Sequence, residues 1–84
     1  MSSYLVMCRS LTYAQRAVRI LERSGITAVI AKAPSGLSAE GCTYGIKISD
    51  KNFTIALSYL KSAGFNYGKV FVIAPAGEYR EVQP

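Results

Sequence analysis

The segments SLTYAQRAVRILERSG, residues 10–25, and SDKNFTIALSYLKSAG, residues 49–64, carry one pattern twice. Each opens on a serine, Ser10 or Ser49, and closes fifteen residues later on a glycine, Gly25 or Gly64. Between those limits Ala17 answers Ala56 and Leu21 answers Leu60. In the first segment Ala14, Ala17, Val18 and Leu21 recur at helical spacing; in the second Phe53, Ala56, Leu57 and Leu60 do so. Such a stripe marks the buried side of an amphipathic helix. A closing glycine supplies the left-handed residue that ends one. The spacing predicts two helices, the first opened by a capping box from Thr12 to Gln15 and the second capped by Asp50.

Working outward, each helix lies between two strand-like stretches. Tyr4 to Arg9 is apolar on both faces, as a central strand requires. Ile26 to Lys32 follows the first helix. Tyr44 to Ser49 alternates, with Tyr44, Ile46 and Ile48 opposite Gly45, Lys47 and Ser49. Lys69 to Ala74 follows the second helix, and Pro75-Ala76-Gly77 stops it. Val29-Ile30-Ala31 answers Val72-Ile73-Ala74, with four extra residues around Phe65 to Lys69. The order β-α-β-β-α-β predicts an α+β fold, a ferredoxin-like sandwich of a four-stranded antiparallel sheet with two helices on one face. Two copies are too few for a solenoid, so residues 1–84 are expected to form one domain with its core at about 4–76.

Composition narrows the function classes. Half of the 84 residues are apolar, which argues for a globular chain. No apolar run approaches the roughly 20 residues that span a bilayer, and Met1-Ser2-Ser3-Tyr4 lacks the character of a signal peptide. Two cysteines are too few for a disulfide scaffold, so a reducing cytoplasm is the expected compartment. Histidine is absent, which excludes a Ser-His or Cys-His pair. Two soft ligands are also too few for a zinc site, and neither metal nor cofactor is expected. A net charge of +5 favours anionic partners in a general way.

The longest connection between elements runs from Ala33 to Thr43 and holds Pro34, Gly36, Leu37, Ser38, Gly41 and Cys42. Hairpin links usually run about two to five residues, and longer ones are often functional. With the first two strands running up, this connection joins the rim where the first strand ends and the first helix begins. Cys42, Arg9, Ser10, Thr12 and Lys69 are thereby expected to share that rim. A helix N-terminus and nearby cations lower a thiol's pKa, and the thiolate is the reactive form. Leu37, the one large apolar residue of the connection, is expected to pack onto the sheet and hold the thiol there. Two readings of Cys42 stay open: a reactive thiol, or a small hydrophobe at the start of a strand. Cys8 reads as core, with a resolving or disulfide role as the alternative.

Arg16, Arg19 and Arg23 line the outer side of the first helix, and a solvated charged face accounts for them. RNA-recognition domains share this topology, but their aromatic-rich third-strand motif is missing from Gly41 to Ile48, which argues against nucleic acid. The fourth strand is apolar on both faces although this topology leaves it at an edge. Cover by the C-terminal tail and a homodimer both answer that.

The chain resembles a family of small bacterial selenium/sulfur carrier-like domains over about residues 4 to 76. Ser10, Ala14 and Ala17 match the family's serine-ended strand and small-residue helix. Pro34-Ser35-Gly36-Leu37-Ser38 matches its Pro-x-x-Leu/Ile-Ser segment, and Cys42-Thr43-Tyr44-Gly45-Ile46-Lys47-Ile48 its cysteine motif. Thr43 stands where the family commonly has glycine, Ser35 where it commonly has arginine, and the glutamate it usually carries on the first helix near Val18 is missing. The resemblance implies a thiol-based carrier, with Cys42 holding a persulfide or selenosulfide for transfer between sulfur or selenium donor and acceptor proteins. On this reading Arg9, Ser10, Thr12 and Lys69 stabilise the anion. The protein is then a carrier or binding protein more than a turnover enzyme. The alternative is a non-enzymatic module of the same fold that binds a small ligand or self-associates.

Overall fold

The computed structural model describes residues 3–32 and 44–82. Among these residues seven elements follow one another: β1 (Ser3–Met7), α1 (Leu11–Arg23), β2 (Val29–Lys32), β3 (Tyr44–Ser49), α2 (Asp50–Ser62), β4 (Val70–Ile73) and β5 (Tyr79–Val82). The strands form one antiparallel sheet in the order β2-β3-β1-β4-β5. The chain is therefore α+β with two helices, but its sheet has five strands and not the expected four.

The fifth strand comes from the tail after the Pro75-Ala76-Gly77 stop. Gly77 takes φ 91°, a left-handed angle that glycine adopts without a Cβ penalty. Its N–H donates to the Ala74 carbonyl at 2.8 Å and turns the chain back. Tyr79 then pairs with Ile73 and Val82 with Val70. The apolar β4 is thus an inner strand, and the tail supplies its cover.

Both helices pack on one side of the sheet. Ala14, Ala17 and Leu21 of α1 and Phe53, Ala56, Leu57 and Leu60 of α2 join Val6, Cys8, Ile46, Ile48 and Val70 in the main core. Full burial of a side chain such as Leu21 or Leu60 stabilises the fold by roughly 1.5–3 kcal/mol. Ala14 and Ala17 add little area, but their small size lets α1 lie close to the strands. Tyr4 stacks on Phe53, ring centroids 3.7 Å apart, and ties β1 to α2. Leu5, Met7 and Phe71, which alternate with the main core, form a second cluster with Ala31, Ile73 and Tyr79.

The helix starts differ from the expected caps. Ser10, in extended conformation, caps α1, and its hydroxyl accepts from the Tyr13 N–H at 3.3 Å. Thr12 is already inside the first turn, so its capping box with Gln15 is not formed. An N-cap must be extended, and Ser10 stands where the chain leaves β1. Likewise Ser49 is the N-cap of α2, and Asp50 is its first helical residue. There the Asp50 carboxylate still faces the positive end of the helix dipole. Gly25 and Gly64 end the helices at φ 79° and 71°, as their placement predicts. No helix among the described residues is long and apolar enough to cross a membrane.

Candidate functional site at the end of β1

β1 lies between β3 and β4, so its last residues fix where three chain segments meet. The Met7 N–H donates to the Lys69 carbonyl at 2.8 Å, and the Gly68 N–H donates to the Met7 carbonyl at 2.8 Å. On the other edge the Cys8 N–H donates to the Tyr44 carbonyl at 3.0 Å. The backbones of Tyr44, Cys8, Arg9, Ser10 and Lys69 therefore gather at one end of the sheet. Tyr44 is the second residue after Cys42 in sequence. Gly45 makes the close approach of β3 feasible: a Cβ there would meet the Val6 carbonyl oxygen at 2.7 Å.

Arg9 and Lys69 are both exposed at this end. Arg9 lies over the ring of Tyr13, its guanidinium carbon 5.3 Å from the centroid, and Arg16 approaches the same ring at 5.8 Å. Tyr13 also meets Phe65 edge-on at 5.5 Å, which couples α1 to the segment before β4. Ser10 spends its hydroxyl on the cap, and Thr12 is exposed in the first turn. Cys42, Pro34, Gly36, Leu37, Ser38 and Gly41 lie outside the described residues.

Cys8 is 1 % exposed and belongs to the main core, where its thiol points at the Val6 carbonyl 3.7 Å away. That burial fits a small hydrophobe with a weak donor. Among the described residues no group of three or more His, Cys, Asp or Glu could hold a metal ion. The opposite end of β1 borders an open cleft of about 450 Å³, lined by Ser3, Thr27, Lys47, Ser49, Lys51 and Asn52 among others. It does not include Arg9, Ser10, Thr12 or Lys69.

Sequence reasoning missed the Tyr13 cluster. Its signal was available in the aromatic residue three positions after Ser10, placed between Arg9 and Arg16. A partly buried aromatic beside two arginines is a frequent cation–π arrangement.

Neither a curated protein nor a solved structure matches the chain. A family model does match, over residues 3–72, which takes in the whole sheet and helix framework up to β4. By that match the chain belongs to the family described as "Putative Se/S carrier protein-like".

Proposed function

We propose that the protein carries sulfane sulfur or selenium on Cys42 and hands it to another protein. The observation that supports this most directly is the family match across residues 3–72, a span that contains the Cys42 motif. The gathering of Arg9, Lys69 and the α1 N-terminus at the end of β1 adds a physical reason. In sequence Cys42 precedes by two residues Tyr44, whose carbonyl accepts from the Cys8 N–H. Positive charge and helix amides there favour a thiolate over a thiol. Ser10 contributes by holding the helix start, and Arg9 and Lys69 by their charge.

The transfer conserves electrons. The Cys42 thiolate attacks the terminal sulfur of a donor persulfide. A new S–S bond forms at Cys42, the donor's S–S bond breaks, and the electron pair leaves on the donor thiolate. An acceptor nucleophile then takes the terminal atom and returns Cys42 as thiolate. Selenium follows the same course through a selenosulfide. Neither half needs a histidine where the attacking group is a thiolate. A free thiol of this kind suits a reducing compartment, which favours the cytoplasm. We read the β2-β3-β1-β4 part of the sheet with its helices as the ferredoxin-like unit, with β5 added at its edge.

The test is intact mass measurement after incubation with a cysteine desulfurase and cysteine. The expected result is a gain of one sulfur atom, lost on reduction and absent in Cys42→Ser. No adduct on the wild-type chain, or an equal adduct on Cys42→Ser, overturns the proposal.

A further inference from the structure

The outer side of α1 is a row of guanidinium groups that make no ion pair among the described residues. Ala14, Ala17 and Leu21 are buried, and Arg16, Arg19 and Arg23 stand exposed on the opposite side of the helix. From Arg16 to Arg23 the row covers about 10 Å at helical rise. Arg9 extends it towards the end of β1 and shares the Tyr13 ring with Arg16. None of the four arginines forms an ion pair among the described residues. The one acid of α1, Glu22, lies on its flank, and the first turn holds none.

We infer that this face of α1 docks an acidic protein surface, that of a donor or acceptor. The row is convex and spread along a helix, so it offers a small anion no enclosure. It offers an extended acidic surface several simultaneous pairings, and the shared Tyr13 ring limits the freedom of Arg9 and Arg16 before contact. Single-stranded nucleic acid is captured on free aromatic faces beside basic grooves. Here the Tyr13 ring is taken by Phe65 and two arginines. Complementary charge of this kind raises association rates and selects partners more than it adds affinity. The role given to the bound protein rests on the carrier reading; its charge does not.

The test titrates isotope-labelled protein with a short polyglutamate peptide and, separately, with an oligouridine of equal charge, at low and high salt. The expected result is amide shifts confined to residues 9–23, abolished at high salt. The triple variant R16E/R19E/R23E should weaken the peptide at least about tenfold, and the charge-neutral R16Q/R19Q/R23Q should weaken it less. Unchanged binding by both variants overturns the inference, as do shifts spread equally over Lys47, Lys51, Lys61 and Lys69. Tighter binding of the oligouridine on the same face overturns it in favour of nucleic acid. Loading of wild-type Cys42 by a low-molecular-weight persulfide, which needs no docking, is measured alongside. Failure there removes the carrier reading and leaves the peptide result standing.

Discussion

Gly45 faces the Val6 carbonyl so closely that a single added carbon would lie 2.7 Å from the oxygen and 3.1 Å from the Leu5 side chain. An alanine there requires β1 and β3 to part slightly, and a branched side chain requires more. Gly45→Val is expected to lower stability by about 2–3 kcal/mol, in the range of overpacked cores. Urea denaturation followed by circular dichroism measures it. An unchanged midpoint would mean that the strands separate freely at this point.

The two hydroxyls at the start of α1 separate cleanly. Ser10→Ala should cost about 1 kcal/mol, because it leaves the Tyr13 N–H without its acceptor. Thr12→Ala should change stability by less than about 0.5 kcal/mol, as an exposed substitution inside the first turn. The reverse ranking in thermal denaturation would restore Thr12 as the cap.

Tyr4 and Phe53 stack almost parallel, with 8° between their ring planes. Their coupling in a double-mutant cycle should reach about 0.5–1.5 kcal/mol beyond the area each ring buries. Additive losses from Tyr4→Leu and Phe53→Leu would show that only burial matters there.

β5 shields the edge of β4. Removal of residues 78–84 would expose the backbone edge of Val70, Phe71, Val72 and Ile73, and unpaired apolar edges seek another strand. The shortened chain is expected to run as a dimer or larger species in gel filtration. If it stays monomeric with unchanged stability, β5 contributes no protection.

The helices were legible because burial imposes a spacing and a glycine marks each end. Ser10 to Gly25 and Ser49 to Gly64 carry both signals, and α1 and α2 are thirteen residues each. β5 was not legible: Tyr79-Arg80-Glu81-Val82 places two charges in four residues, and at an edge strand nothing forces apolar alternation. The expected reach of the first strand to Arg9 was too long. Apolar patterning continues through Cys8, whereas the chain must bend at Arg9 and Ser10 to start α1. β2 is likewise shorter than expected, because Ile26 and Ala28 are buried in the turn from α1 before pairing begins at Val29. At the candidate site, the meeting of Arg9, Ser10 and Lys69 followed from topology alone. The Tyr13 contacts were legible only as residue types: that Arg9, Arg16 and Phe65 converge on this one ring depends on side-chain directions that spacing does not encode.

The central place of β1 also governs how the chain can acquire its structure. It precedes both of its neighbours in the chain, Tyr44–Ser49 and Val70–Ile73. Until about residue 73 has left the ribosome, β1 has one edge or both edges open. The sequence repeat therefore does not divide into halves that fold in turn: the first β-α-β unit lacks any strand of its own to sit beside β1, because β2 pairs with β3 instead. Long-range pairing of this kind slows folding relative to local contacts. The expected consequence is a single late, cooperative step in which β3 and β4 close on β1 from opposite sides.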